Sequence, residues 1–134
     1  MILRTGIDLV EISRLADLDG DIKTRFLKRV FTDYELDEVE NSDERLSGRF
    51  AAKEAVAKAL GCGIGPVKWQ EIEVRVGDLG APQIYLYGAA KIMAEDLGLT
   101  TWSVSISHTH NQAAAMVVAM GAADSNEETD GGSQ

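Results

Sequence analysis

The residues most able to do chemistry lie in one alanine-rich stretch, residues 49–61, which is predicted to be a helix that ends at a glycine. Four charges interrupt it, those of Arg49, Lys53, Glu54 and Lys58. Apolar residues fall on every side of this helix, so little of it can face water, and a buried charge is costly unless it is paired or coordinated. Glu54 and Lys58, one turn apart, would form an ordinary weak helix pair, with the other bases reaching solvent. The alternative is that the charges form a functional site.

A second unusual acid is Asp8, within the apolar residues 2–10 that predict the first strand. Gly6 in this strand allows close approach of another backbone. An aspartate is disfavoured inside an apolar strand. Asp8 therefore either ends the strand and caps the next helix, or lies inside the strand and requires a cation.

Two other segments carry weaker signals. His108 and His110 could face one way as a metal pair, but no third soft ligand accompanies them. A structural histidine or a phosphate donor is therefore favoured over a zinc site. The glycine-rich residues 61–66 lack the spacing of a P-loop, and no strand directly precedes them. That pattern favours a helix stop followed by a turn over a phosphate loop.

Residues 1–120 are long enough for one domain with its own core, and their hydrophobic periodicity predicts the elements that would position these side chains. A capping box at Thr32 and Glu35 opens one helix, and Ser42 can cap the long helix that carries Glu54. The predicted helices are residues 11–19, 22–30, 33–40, 43–60 and 88–97, and the predicted strands are residues 2–10, 69–76, 82–87, 101–107 and 113–120.

The composition is that of an ordinary globular protein, with 45% hydrophobic and 26% charged residues. A single cysteine, Cys62, excludes an internal disulfide and fits a reducing compartment. The N-terminus has neither the basic start nor the apolar run of a signal peptide, and the apolar residues 113–120 are too few to span a bilayer. We therefore expect a cytoplasmic protein that does not insert into membranes.

Charge is distributed unevenly along the chain. A net charge of −9 argues against nucleic acid as a partner. Four basic residues nevertheless fall within seven positions, and we call them the basic island: Lys23, Arg25, Lys28 and Arg29. They form either a solvated helix face or a docking surface for an acidic partner. Residues 121–134 are rich in Asp, Glu, Ser and Gly, which predicts a disordered acidic tail to which we assign no function.

Three separated segments together carry a family resemblance. They are Gly6-Ile7-Asp8 followed by Arg14, the run Arg-Phe-Ala-Ala-Lys-Glu-Ala-Val-Ala-Lys-Ala at residues 49–59, and Ser-Ile-Ser-His-Thr at residues 105–109. Gly80-Ala81-Pro82 before a predicted strand fits the same pattern. With these motifs, residues 1–120 resemble the holo-acyl-carrier-protein synthases, the small bacterial class of 4′-phosphopantetheinyl transferases.

The resemblance implies an α+β fold in which an antiparallel sheet packs against one long central helix and shorter helices. It also implies a homotrimer with active sites at the subunit boundaries. The implied reaction moves the 4′-phosphopantetheine group of coenzyme A to a serine of apo acyl carrier protein and leaves adenosine 3′,5′-bisphosphate. The resemblance leaves two carriers open, those of fatty-acid and of polyketide synthesis. Single-domain length and the helix motif favour an enzyme for the primary fatty-acid carrier over the broader, two-repeat transferases. A non-catalytic coenzyme A or nucleotide binder of the same fold and a charge-organised interaction module are the alternatives.

The family also implies roles for the unusual acids. Cleaving a diphosphate needs a hard divalent cation, here Mg²⁺ with Mn²⁺ as a substitute, which the carboxylates of Asp8 and Glu54 would bind. Glu54, directly or through a metal-bound water, is the expected general base, and Asp8 with a water is the alternative. Lys58 is expected to neutralise a phosphate oxygen during catalysis.

Two further sets of residues complete the expected site. The basic island and Arg14 are expected to dock the acidic carrier protein. Coenzyme A binding is assigned to the residues that match the family pattern: Arg49, Lys53, Lys58, Gly61, Gly63, Gly65, Pro82, His108 and Thr109.

Overall fold

A computed structural model of the chain describes residues 1–122. The acidic segment predicted for residues 121–134 lies outside the described residues, apart from its first two positions. None of the helices in residues 1–122 combines the length and the hydrophobicity needed to cross a bilayer. In chain order these residues form β1 (Ile2–Glu11), α1 (Ser13–Ala16), α2 (Gly20–Val30), α3 (Asp33–Val39), α4 (Asp43–Leu60), β2 (Ile72–Val76), β3 (Pro82–Leu86), α5 (Gly88–Asp96), β4 (Thr101–His108) and β5 (Gln112–Gly121).

Helix α4 is the central element, and its ends follow from local chemistry. The Ser42 hydroxyl accepts the Arg45 amide at 3.2 Å, and Asp43 and Glu44 place negative charge in the first turn. Gly61 ends the helix with a φ of +82°, a conformation that glycine adopts at little cost. As the sequence predicts, most of α4 is buried, with 13 of its 18 residues inside the protein.

The strands β1, β5 and β4 form an antiparallel sheet in that order, and α4 packs across one face of it. Alternate residues of β1 face the helix, among them Arg4, Gly6 and Asp8. Gly6 is required here, because a Cβ would stand 1.8 Å from the Ala55 carbonyl oxygen. The strand therefore lies directly against α4, which brings Asp8 to the charges of that helix.

The strands β2 and β3 form a separate antiparallel hairpin beside α3 and α4, so the α+β class with antiparallel strands is confirmed. Two predicted boundaries are wrong. Of the helix predicted at residues 11–19, only α1 (Ser13–Ala16) is helical, because Glu11 is paired with Gln112 in the sheet. The strand predicted at residues 69–76 begins at Ile72, because the three residues before it form a 3₁₀ turn.

The capping box predicted for α3 is present. The Thr32 hydroxyl accepts the Glu35 amide at 3.2 Å, and the Glu35 carboxylate accepts the Thr32 amide at 2.9 Å. A second oxygen of Glu35 accepts the Val74 amide of β2 at 2.7 Å. Glu35 is thus completely buried between α3 and the hairpin, which makes it a buried charge in need of a cation.

Candidate active site

Asp8 and the charged residues of α4 converge where β1 crosses the helix. The Lys58 ammonium lies 3.1 Å from an Asp8 carboxylate oxygen and donates to the Ile7 carbonyl oxygen at 2.8 Å. Burial raises the pKa of the Glu54 carboxyl above its usual range, and the negative charge of Asp8 raises it further. The positive charges of Lys58 and Arg14 offset part of this shift. The carboxyl groups of Asp8 and Glu54 therefore lie near each other in one partly buried site between β1 and α4.

This arrangement argues against the first interpretation of the α4 charges, an ordinary helix pair between Glu54 and Lys58. Lys58 pairs with Asp8 from another element, and within residues 1–122 no ion pair joins it to Glu54. Buried charges are normally paired or bound to a metal, and two carboxylates of like charge favour a shared cation. Mg²⁺ takes oxygen ligands and commonly binds to one or two protein carboxylates. No cluster of three or more metal-ligating side chains occurs among residues 1–122, so the remaining ligands would come from water or substrate.

A second group of predicted site residues lines a cavity of about 220 Å³ between α4, the β2–β3 hairpin and β4. Arg49, Pro82 and His108 meet there, whereas the carboxylate pair and its lysine do not line this cavity. The Arg49 guanidinium donates to the Glu38 carboxylate at 2.5 Å, and its Nε is buried without a hydrogen-bond partner. The His108 ring lies 3.8 Å from the Glu44 carboxylate. The cavity thus offers a guanidinium and an imidazole, which are donors suited to phosphate.

The structure places Lys53 inside the fold, which gives no support to its expected contact with coenzyme A. Its side chain is completely buried, forms a 2.8 Å ion pair with Glu35 and donates to the carbonyl oxygens of Trp69 and Ile72. Burial lowers the pKa of the Lys53 ammonium, and the Glu35 carboxylate opposes that shift. Because a phosphate in solvent cannot reach this group, Lys53 serves to tie α4 to α3 and to the start of β2.

The glycine loop that follows α4 uses its amides internally. The amides of Gly61 and Gly63 donate to carbonyl oxygens in the last turn of the helix, and the amide of Gly65 donates to the Val67 carbonyl oxygen. Both Gly61 and Gly63 have positive φ values, as a helix stop requires. These amides are not free to bind phosphate, so the expected contact between the loop and the nucleotide has no support from them.

His108 and Thr109 are neighbours in sequence but face different places. The Thr109 hydroxyl accepts the amides of Asn111 and Gln112, which stabilises the turn between β4 and β5. Thr109 lines a cavity of about 590 Å³ with the end of β1 and with α1, whereas His108 lines the smaller cavity. Within one chain these two residues therefore line different cavities.

Most of the basic island is available to a partner. Arg25, Lys28 and Arg29 are exposed on α2. Lys23 forms a 2.7 Å ion pair with Asp43, so its charge is largely neutralised within the chain. The exposed surface of α2 therefore presents three of the four expected docking charges.

An aromatic stack beside the island was not predicted from the sequence. The Phe50 ring of α4 lies 5.8 Å from that of Phe26 and stacks on that of Trp69 at 4.9 Å, measured between ring centroids. The Arg14 guanidinium lies 5.4 Å from the centre of the Phe50 ring. Phe50 is buried in the core, but the rings of Phe26 and Trp69 are partly exposed beside basic side chains, which suits an acidic partner that also presents apolar side chains.

Comparisons with known proteins agree on one family. The model of the 4′-phosphopantetheinyl transferase superfamily matches residues 4–117. The holo-[acyl-carrier-protein] synthase of Natranaerobius thermophilus is 43% identical over 121 residues, which cover 88% of this chain and 97% of that protein. The protein of the same name from Herpetosiphon aurantiacus is 44% identical over 126 residues, which cover 89% of this chain and 99% of that protein.

Solved structures give the same result. The chain is similar to the Helicobacter pylori holo-[acyl-carrier-protein] synthase in complex with coenzyme A, with a TM-score of 0.79, 32% identity and coverage of 87% of this chain and 99% of that one. The Bacillus anthracis protein in complex with CoA (3′,5′-ADP) gives a TM-score of 0.72, 32% identity and coverage of 89% and 96%. The chain therefore belongs to the 4′-phosphopantetheinyl transferase superfamily and, within it, to the holo-acyl-carrier-protein synthases.

Proposed function

We propose that this chain transfers the 4′-phosphopantetheine group of coenzyme A to a serine of apo acyl carrier protein and releases adenosine 3′,5′-bisphosphate. The convergence of Asp8, Glu54 and Lys58 carries the proposal, because it offers two carboxylates for a divalent cation and an ammonium for phosphate oxygens. The coenzyme A bound to the similar Helicobacter pylori protein supports the donor, and the names of the relatives support the acceptor.

Each residue of the convergence has a step to perform. Asp8 and Glu54 would hold Mg²⁺, or Mn²⁺ in its place, which supplies positive charge to the diphosphate oxygens when bound. Glu54 accepts the proton of the carrier serine as the general base. The serine oxygen forms a bond to the phosphorus that carries pantetheine, and the bond from that phosphorus to adenosine 3′,5′-bisphosphate breaks. Lys58 neutralises the charge that gathers on a phosphate oxygen.

We further propose that the chain assembles as the homotrimer that the family resemblance implies, and the support for an interface is that one face of the sheet is both apolar and uncovered. On the side opposite α4, Leu3, Ile7 and Leu9 of β1 are 59%, 65% and 62% exposed. Met116 and Met120 of the paired strand β5 continue this patch at 49% and 37% exposure. An exposed apolar patch of neighbouring residues is typical of a protein interface.

A trimer would also complete the site. In one chain the residues expected to bind coenzyme A lie at two separate sites. Lys58 lies beside Asp8, whereas Arg49, Pro82 and His108 line the 220 Å³ cavity. A subunit boundary can bring the carboxylates of one chain to the phosphate-binding cavity of the next, so that a single coenzyme A contacts both.

Ile7→Glu is expected to dissociate the assembly, because three charges would have to be buried in an apolar contact. Light scattering should give about three times the 14.5 kDa chain mass for the unmodified protein and a single chain mass for the variant, with loss of transfer activity. Leu79→Glu is the matched control, since Leu79 is 99% exposed on the β2–β3 turn. A monomeric unmodified protein at micromolar concentration would contradict the homotrimer.

Arg25→Glu is expected to raise the KM for the carrier protein about 10-fold and to leave the affinity for coenzyme A unchanged, because a reversed charge on α2 repels an acidic partner. Arg25 is a cleaner choice than Arg14, whose charge also acts on Glu54. Steady-state kinetics with each substrate varied in turn provide the measurement. Lys91→Glu on α5 is the control for an equal change in net charge. Equal losses for both substrates would refute a separate docking surface.

The proposed reaction is tested by mass spectrometry of apo carrier protein incubated with the enzyme, coenzyme A and Mg²⁺, with and without a chelator. Transfer predicts a carrier heavier by one phosphopantetheine group, and chelation should prevent this gain. A non-catalytic coenzyme A binder would bind the ligand in calorimetry but release no bisphosphate. That outcome would overturn the proposed activity while leaving the family assignment intact.

A further inference from the structure

Arg45 is a second arginine at the cavity of about 220 Å³, and none of the motifs and steps above includes it. It lines the cavity together with Arg49, Pro82 and His108. Arg45 and Arg49 are one turn apart on α4, so their side chains leave the helix on the same face. The cavity wall therefore carries two arginines, whereas the helix motif at residues 49–59 contains only one.

Glu38 of α3 holds the two arginines side by side. One oxygen of its carboxylate accepts a hydrogen bond from a terminal nitrogen of Arg45, and the other oxygen accepts one from a terminal nitrogen of Arg49. A single carboxylate neutralises only one of two guanidinium groups, so the three groups keep an excess of positive charge. Two like charges held close together repel each other, and an anion that contacts both relieves this repulsion.

Both guanidinium groups have donors left for such an anion. Each group has five N–H donors, and the bonds to Glu38 engage one nitrogen of each. The Nε of Arg49 is buried without a hydrogen-bond partner, which is costly unless a water or an ion supplies one. Glu44 also lines the cavity, but it lies 3.8 Å from the His108 ring, and within residues 1–122 it forms no ion pair with either arginine.

A purely structural role, in which the arginines join α3 to α4, explains Arg49 better than Arg45. The Arg49 side chain is 11% exposed, so its ion pair with Glu38 is well shielded from water. The Arg45 side chain is 38% exposed, and ion pairs that open to solvent contribute little to stability. A second arginine on the cavity wall is therefore explained better by a ligand than by the fold.

The chemistry of coenzyme A indicates which of its groups would lie in this cavity. Coenzyme A carries a 3′-phosphate in addition to its diphosphate, and that phosphate stays on the leaving adenosine 3′,5′-bisphosphate. The diphosphate must lie at the metal-binding carboxylates of Asp8 and Glu54, which do not line the cavity. The cavity is also smaller than the roughly 300–1,000 Å³ of a complete small-molecule site, so it takes one group of the ligand.

We propose that Arg45 is a specificity-determining residue that binds the 3′-phosphate of coenzyme A together with Arg49, an inference that rests on the proposed function. A guanidinium presents its donors in a planar fork that matches phosphate oxygens, and it keeps its charge at every physiological pH. Arg45 thereby makes the enzyme prefer coenzyme A over an analogue that lacks this phosphate.

The test compares Arg45→Gln and Arg45→Lys with a control, Lys91→Gln, which removes an exposed cation on α5. Calorimetry in Mg²⁺ measures the affinity for coenzyme A and for its analogue without the 3′-phosphate, and the unmodified protein should prefer coenzyme A. Arg45→Gln should weaken the binding of coenzyme A about 10-fold and leave that of the analogue unchanged, because only coenzyme A loses a charge-assisted hydrogen bond. Arg45→Lys should recover part of the loss, and Lys91→Gln should leave the preference unchanged.

An unmodified protein that binds both ligands equally, or an unchanged preference in a folded Arg45→Gln protein, would overturn the proposal. A fall in Tm with equal losses for both ligands would also overturn it, in favour of a link between α3 and α4. If the unmodified protein binds coenzyme A without transferring its phosphopantetheine, the proposed activity fails, and the comparison of the two ligands still decides whether Arg45 contacts the 3′-phosphate.

Discussion

Glu54→Gln is expected to remove turnover while the fold persists. Glutamine keeps the size of the side chain, but it cannot take the serine proton or offer a charged oxygen to Mg²⁺. Loss of a general base alone typically lowers kcat by about 100-fold to 10,000-fold. The substitution also removes the repulsion between Glu54 and Asp8 that raises the pKa of Glu54, so packing and stability should not suffer. Release of the bisphosphate under saturating coenzyme A and carrier measures the effect.

Two controls separate the role of Glu54 from general damage. Glu95→Gln removes an exposed acid from α5 and should leave turnover unchanged. Mg²⁺ should raise the Tm of the unmodified protein, because a ligand that binds only the folded state stabilises it. Glu54→Gln and Asp8→Asn should both reduce this rise. Near-normal turnover in Glu54→Gln would remove Glu54 from the mechanism.

The raised pKa of Glu54 also gives a pH dependence whose sign follows from linkage. The metal-free folded protein binds this proton more tightly than the unfolded chain does. The stabilisation from this group is therefore present at acid pH and is lost as the pH rises through the raised pKa. Glu54→Gln should accordingly raise the Tm in chelator at neutral pH. Activity in Mg²⁺ should also fall at acid pH, because the base must be ionised, but a bound cation lowers the pKa of Glu54, so this fall lies at a lower pH than the metal-free transition.

Lys53→Met is expected to cause the largest loss of stability. Methionine preserves much of the volume, but it leaves the completely buried carboxylate of Glu35 without its cation. The carbonyl oxygens of Trp69 and Ile72 also lose a donor. Breaking a buried ion pair by removing one partner costs about 3–5 kcal/mol. In thermal unfolding this corresponds to a fall in Tm of roughly 10 °C or more for a domain of this size.

A double variant identifies the cause of that loss. In Lys53→Met/Glu35→Gln the uncompensated charge is gone, and glutamine retains an oxygen for the Val74 amide. The double variant should therefore be more stable than Lys53→Met alone. A Tm for Lys53→Met close to that of the unmodified protein would show that Lys53 is not a structural cation and would reopen a role for it in substrate binding.

Much of the fold was predictable because it depends on interactions between residues a few positions apart. The Ser42 cap, the alanine-rich body of α4 and the stop at Gly61 could all be identified from composition and order. The capping box at Thr32 was equally visible. The end of β1 was not, because pairing with β5 keeps Glu11 in the sheet although its local pattern favours a helix.

The sequence predicted which residue types form the site, but only partly which of these residues contact one another. The sequence predicted that Asp8 would need a cation if it lay inside the strand, and it left open whether Glu54 pairs with Lys58 or belongs to a functional site, since acids in apolar elements are costly. Only the tertiary structure decided which base meets which acid, giving Lys58 to Asp8 and Lys53 to Glu35. That choice depends on how elements distant in the chain pack together, and local periodicity does not contain it.

The same reason applies to the residues around the site. The composition of a glycine-rich loop does not tell whether its amides donate to the helix or to a bound phosphate. In this structure they donate to carbonyl oxygens of the chain itself. The sequence determined which charges this protein carries and where its central helix begins and ends. Tertiary packing decided which of those charges form ion pairs within the fold and which are available to bind a substrate, because those contacts join elements that are distant in the chain.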